Sequence, residues 1–420
     1  MLSRVANAVR PLREARELLL ISVSTVLVMA GQGVIAPILP LYARSFGVGV
    51  AQVGLTLSAF ALARVILNIP LGILSDRYGR RLLLVWGPLV TAVGMIGSGF
   101  AGGITDLLAW RFIAGAGSAM YMTGAQVYLV DISTPANRAR FIGTNQGALL
   151  LGVSIGPAVG GLVAEGFGFR APFFVVGTAA LFASVYAFFG LPETRHLGDD
   201  DVEDGAENGG TSSGGAGSMP GRPWARLLLS GDFLAVAFVT MSIFFTRTAS
   251  RQTLMPLLAA SDHDFSPGSL GLLFTVLSAV TLVGLAPAAF IADRLGRKWA
   301  IVPSGLVVSA SLALMASVDH TAWFVLSSVV MAAGNSIAGP APAAYVADIA
   351  PASLRGLAMG MYRTSGDIGF VVGPPLLGAL ADATSIGVGL VANGVLVAAA
   401  ALVFAFFARE TVSRATSTST

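Results

Sequence analysis

Twelve stretches of about 20 predominantly apolar residues, each closed by a short polar segment, govern what this chain can become. They fall at 18–40, 51–73, 82–101, 104–129, 141–163 and 170–190, then at 233–257, 269–291, 300–318, 322–346, 355–380 and 386–408. Each is long enough to cross a bilayer as a helix, which satisfies its own backbone hydrogen bonds where water cannot. The connections within each group of six are short, so successive helices are expected to run antiparallel. The first stretch is as long as the rest and reads as a retained span, not a processed leader.

Composition agrees. Of 420 residues, 55% are hydrophobic and 11% are charged, against roughly 25% charged in soluble proteins. With no cysteine, disulfides, thiol catalysis and cysteine-ligated metals are excluded. His196, His263 and His320 are scattered through predicted loops, so no histidine metal centre is expected. No nucleophile–base set and no phosphate-binding glycine loop is visible, so neither an enzyme nor an ATP-driven pump is expected, and no cofactor. The formal charge of +3 sits in juxtamembrane clusters, which argues against nucleic acid.

The polar breaks divide the chain. Residues 1–17 form an N-terminal segment, 18–190 a first six-helix bundle, 191–226 a linker, 227–408 a second six-helix bundle and 409–420 a tail. The linker is acidic from Gly198 to Gly205 and Gly/Ser-rich to Ser218, too polar to bury a core, and reads as a disordered tether. With the N-terminus inside, 18 basic residues lie in inner segments and two, Arg44 and Arg170, in outer loops. That bias places both termini and the linker in the cytoplasm and the protein in the cytoplasmic membrane.

Laid over itself so that Asp76 falls on Asp293, the chain matches its own second half without a gap. In the same register Pro70 falls on Pro287, Arg77 on Arg294, Gly79 on Gly296 and Arg80 on Arg297. Further on, Gly117 falls on Gly334, Tyr128 on Tyr345, Asp131 on Asp348, Arg138 on Arg355 and Gly156–Pro157 on Gly373–Pro374. Two related bundles about a central cleft allow one site to face either side of the membrane in turn.

Three motifs carry the chemistry. The loop after the second span reads Gly72, Asp76, Arg77, Gly79, Arg80, Arg81. Gly79 suits a tight turn, and Asp76 is placed to accept from the exposed N–H groups of a helix start. The fourth span carries Arg111 with Gly115 and Gly117. An arginine in hydrocarbon is either functional or snorkels to the interface. The fifth span carries Gly152, Gly156, Pro157, Gly160 and Gly161, a spacing that brings two helices close.

These segments resemble the signature motifs of the major facilitator superfamily, and the glycine string resembles that of its twelve-helix drug:proton antiporter branch. The resemblance spans about residues 12–409. It implies an all-α major facilitator fold of two pseudo-symmetric six-helix bundles. It further implies that Asp76 meets the start of helix eleven near Arg355 and that Arg80 pairs with Asp131. Asp293, Arg297 and Asp348 would play the matching roles in the second half. Arg111 would belong to a proton-antiport motif.

Five arginines fall within spans: Arg64, Arg111, Arg247, Arg251 and Arg363; the one mid-depth carboxylate is Asp367. Arg247 and Arg251, like Arg363 and Asp367, are four apart and share a helical face. Gln32, Asn68, Gln126, Asn145, Gln146 and Asn335 complete the candidate cavity set. A cationic cavity suits an anionic or zwitterionic solute, and Asp367 alone among these charges can carry a proton. The expectation is proton-coupled efflux of a small organic solute by a monomer in contact with lipid. The alternatives are an organic-anion facilitator or symporter, and a non-transporting sensor of the same fold.

Overall fold

A computed structural model describes residues 2–134, 137–194 and 223–411. The centre of the expected linker, Arg195, Arg222, Arg414 and the side chains of Arg4, Arg10 and Arg13 lie outside the described residues. The fold is all-α. The first half holds α1 (Leu2–Ile35), α2 (Leu39–Arg44), α3 (Val50–Tyr78), α4 (Arg80–Phe100), α5 (Ile104–Asp131), α6 (Arg138–Phe167) and α7 (Ala171–Gly190). The second holds α8 (Pro223–Leu228), α9 (Gly231–Phe245), α10 (Met255–Asp262), α11 (Pro267–Arg294), α12 (Arg297–Ser317), α13 (Thr321–Ala338), α14 (Ala341–Ile349), α15 (Arg355–Ala383) and α16 (Ile386–Phe407).

Among the described residues, ten helical stretches are long and apolar enough to cross a membrane. The other two expected crossings correspond to α5 and α15, 28 and 29 residues long, or roughly 42 Å at the α-helical rise. Length is not what separates them from the ten. Arg111, Gln126 and a run of small residues interrupt α5, and Arg363, Asp367, Pro374 and Pro375 interrupt α15.

Two compact units emerge. The first comprises Met1–Ile38 and Ala59–Gly217, the second Leu39–Ser58 and Ser218–Thr420. Helix α3 is therefore shared: its first nine residues cluster with the second unit, although the sequence places all of 18–190 in one bundle. Inside each unit the same pairings recur. Helix α1 packs on α6 and α7, and α4 on α5 and α7; at the matching places of the second half, α9 packs on α15 and α16, and α12 on α13 and α16. The repeat is thus a repeat of packing as well as of residues.

The glycine string of α6 does what its spacing predicts. A Cβ at Gly152 would lie 2.7 Å from the Val26 carbonyl oxygen, and one at Gly156 2.6 Å from that of Ala30. The backbones of α6 and α1 touch along this seam, which no larger residue permits.

The seventh span departs from a plain α-helix. Between α9 and α10, Thr246–Leu254 is π-helical, with each backbone bond reaching five residues instead of four. Arg247 and Arg251 both lie in this segment. Thr246, Ser250 and Asn393 hold the widened turn against α16, with Asn393 Nδ2 donating to Ser250 Oγ at 2.6 Å and to Thr246 Oγ1 at 3.1 Å.

Candidate gating network and transport site

The loop between α3 and α4 turns on Gly79, whose φ of 98° is strained for any side chain; Gly296 repeats it between α11 and α12 at 115°. A glycine before a helix start supplies no side-chain cap. The cap comes from elsewhere: Glu193 accepts from the backbone N–H of Arg80 at 3.0 Å and of Arg81 at 3.2 Å. Glu410 does the same for Arg297 at 2.9 Å and Lys298 at 3.0 Å. Sequence reasoning missed both glutamates. The signal was present, since Glu193–Thr194 falls on Glu410–Thr411 in the register that sets Asp76 on Asp293.

Around each capped helix start lies an ion network. Arg80 Nε meets Asp131 at 2.9 Å, the pairing the resemblance implies, and its Nη2 lies 3.5 Å from Asp76. Thr194 donates its hydroxyl to Asp131 at 2.9 Å. In the second unit Arg297 binds Asp293 at 2.6 Å and Asp348 at 3.3 Å, and Thr411 donates to Asp348 at 2.9 Å. Burial pushes the Asp131 carboxyl above its ordinary value, opposed by the Thr194 hydroxyl and by Arg80. Asp76 itself is 73% exposed and caps nothing within its own unit, because Glu193 already occupies the adjacent helix start. Arg138 is held by Ser133 at 3.4 Å, Arg294 lies 5.0 Å from the Phe290 ring centroid, and Arg355 is exposed.

These caps define a testable contribution. Glu193→Ala is expected to cost about 1 kcal/mol of stability, the usual loss for a helix N-cap. Glu193→Ala with Glu410→Ala should cost about twice that, because separate sites add. Thermal unfolding of the purified variants measures both.

A further cap stands at the opposite end of α3. Gly49 precedes that helix, and Asp382 at the end of α15 accepts from the N–H of Val50 at 2.7 Å and of Ala51 at 2.9 Å. Close by, a Cβ on Gly378 would lie 2.6 Å from the Ala51 Cα. The corresponding helix α11 carries its own cap, Ser266, which accepts from the Ser269 N–H.

Arg111 does not snorkel. Its side chain is 5% exposed, its guanidinium lies 4.7 Å from the Phe60 ring centroid, and Nη1 reaches the Met95 sulfur at 3.7 Å. Its Nε is buried without a hydrogen-bond partner among the described residues. The repeat sets Ser328 at the equivalent position, so this cation has no counterpart in the second half.

Of the remaining candidates, Asn145 is buried and accepts from Thr25 at 2.7 Å; the Thr25 and Tyr121 hydroxyls lie 2.8 Å apart. It ties α6 to α1. Gln32 donates to Ser118 at 3.3 Å. Arg64 and Asn335 are half-buried, whereas Asn68, Gln126, Gln146, Arg247, Arg363 and Asp367 are exposed. Arg251 is half-buried with its guanidinium 5.9 Å from the Phe274 ring centroid. Among the described residues, no group of three or more histidine, cysteine or acidic side chains is placed to hold a metal ion.

This geometry stands with three kinds of likeness. The sequence matches the Major Facilitator Superfamily profile over residues 21–248 and again over 240–420. It is 26% identical to an uncharacterized MFS-type transporter of Methanocaldococcus jannaschii, covering 87% of this chain and 92% of that one. It is also 26% identical to Multidrug resistance protein 1 of Bacillus subtilis, covering 84% and 86%. A bacterial homologue of the human lysosomal transporter Spinster, solved in an inward-facing and unoccupied conformation, superposes with a TM-score of 0.78 at 16% identity, over 93% of this chain and 96% of that one.

The chain belongs to the major facilitator superfamily. It is a multi-pass membrane transporter and not an enzyme, carrying a small organic solute by secondary transport through alternating access.

Proposed function

We propose that the protein is a twelve-helix exporter of the drug:proton antiporter branch. On this reading α5 and α15 complete two six-helix bundles, both termini are cytoplasmic, and a small organic solute leaves the cell as protons enter. One observation carries it: the Arg–Asp–Glu networks are duplicated at both helix starts, while Arg111 is buried, unduplicated and orphaned at Nε. Duplicated networks suit a gate that opens and closes. A single buried cation suits a coupling or substrate site. The similarity to a multidrug resistance protein supports efflux.

Excess arginine favours an anionic or zwitterionic solute. Arg247 and Arg251 stand together in the π-helical turn, which brings two cations to one short segment. The same surplus also serves an organic-anion facilitator, which needs no proton.

Flux measurements in proteoliposomes test both readings, with a panel of organic cations, neutral solutes and organic anions under an imposed pH gradient. Saturable export driven by the gradient, strongest for anions or zwitterions, is the expected result. Flux indifferent to the gradient removes proton coupling, and no saturable flux for any solute removes the exporter. In the same assay, Asp76→Ala is expected to slow turnover by about tenfold, the effect of about 1.4 kcal/mol on the conformational barrier. An undiminished rate shows that Asp76 takes no part in gating.

A further inference from the structure

At the Arg81 end of the first unit, a cleft of about 430 Å³ opens between the start of α1's apolar run, the start of α4 and the end of α7. Arg16, Glu17, Leu20, Arg81, Phe189 and Gly190 line it. Neither the gating network nor the transport site uses it. Arg81 is held in place: its Nη2 donates to the Phe188 carbonyl at 2.5 Å and its guanidinium lies 5.3 Å from the Phe188 ring centroid. Its Nε is buried and has no hydrogen-bond partner among the described residues. A guanidinium fixed in this way at the wall of a cleft meets an oxyanion with little ordering cost.

The surroundings say which kind. Phe189 is 82% exposed at the cleft, an apolar wall at the level where an apolar run meets basic side chains. That boundary is where headgroups lie and where basic pockets between spanning helices bind them. The volume lies in the range of small-molecule pockets, roughly 300–1,000 Å³, more than a bare phosphate fills.

The repeat supplies a control built into the molecule. In its register Arg16 falls on Phe233, Glu17 on Leu234, Arg81 on Lys298 and Gly190 on Phe407. Phe233 is core, and Phe407 packs on Gly231 where the first half has only a hydrogen at Gly190. The second half keeps one of the three charges, Lys298. We propose that the Arg16–Arg81 cleft binds the phosphate diester of a membrane phospholipid, with its acyl chains along Phe189.

Native mass spectrometry of the delipidated protein, titrated with palmitoyl-oleoyl phosphatidylglycerol, tests this. The wild type is expected to retain one tight adduct. Arg81→Gln should weaken that adduct at least tenfold and leave weaker adducts unchanged. Gly190→Phe, which places a bulky ring at the cleft wall where the second half carries Phe407, should do the same. A Cβ there first meets the movable Leu20 side chain at 3.2 Å, so this variant should keep the wild-type melting temperature. Equal adduct affinity in wild type and both variants overturns the proposal. Displacement of the lipid by millimolar inorganic phosphate overturns it as well, making the cleft a small-anion pocket.

Discussion

Replacing Arg111 with alanine is expected to lower transport by roughly 10- to 100-fold, equivalent to about 1.4–2.8 kcal/mol of lost barrier stabilisation, while the protein still inserts and folds. The guanidinium rests on Phe60 and Met95, with one donor unmet. A cation that needed only a structural partner would be paired in the resting fold, because burial of an unmatched charge is costly. The unmet donor is what a transported anion, or a carboxylate arriving during the cycle, would satisfy. Arg111→Lys keeps the charge but not the planar stack and should fall between wild type and alanine. Arg111→Met fills the volume and should match the alanine variant in rate and the wild type in melting temperature. Initial rates in proteoliposomes decide: full activity in the methionine variant makes Arg111 a packing residue.

The second large effect is expected at Asp382. Asp382→Ala removes both acceptors from the start of α3, where Gly49 offers no replacement. Hydrogen bonds to a charged group contribute about 1.5–3 kcal/mol when well protected. The site is partly exposed, so a shift of about 1.4 kcal/mol, or tenfold in population, is the expected scale. Because the chain has no cysteine, a single Val53→Cys replacement reports cleanly. Val53 is fully buried, so maleimide reaches a cysteine there only when the start of α3 opens. Labelling should accelerate about tenfold when Asp382→Ala is added. Glu165 is the residue that the repeat sets against Asp382. Its counterpart helix α11 is capped by its own Ser266, so Glu165→Ala should leave the rate unchanged. If both variants label like the parent, the cap does not restrain the helix.

Duplication separates two kinds of residue. Gly79, Arg80, Asp131, Glu193 and Thr194 all recur, as Gly296, Arg297, Asp348, Glu410 and Thr411, and in both copies they make the same contacts. The first three were legible in outline, because charged and glycine matches in an apolar chain are conspicuous. The two glutamates escaped because they follow the last span of each half, where a polar residue reads as linker or tail. The structure shows instead that both ends of the linker take part in the fold. Glu193 and Thr194 are bound into the network, and Pro223–Leu228 is helical.

Arg111, Arg247, Arg251, Arg363 and Asp367 have no copies. For them the sequence provided identity and approximate depth but not direction. Asn145 was a cavity candidate and is bonded to Thr25 of α1, a partner that could not be foreseen because helix rotation cannot be read from a span apolar on nearly every side. The segment that carries Arg247 and Arg251 was read as α-helical, and the structure makes it π-helical. Nothing local in Thr246–Leu254 announces that turn; Asn393, far along the chain in α16, holds it.

The amino-acid sequence by itself determined the spanning segments, the internal repeat and the glycine turns. Each depends on composition and spacing within one stretch of chain, and hydrocarbon allows a backbone few choices. Only the tertiary structure decided which acid caps which helix, that Arg111 is buried against Phe60, and that α3 is divided between two units. Those outcomes join side chains far apart in the chain, as Glu193 with Arg80 and Asp382 with Val50, and depend on helix rotation and close approach that no single segment encodes.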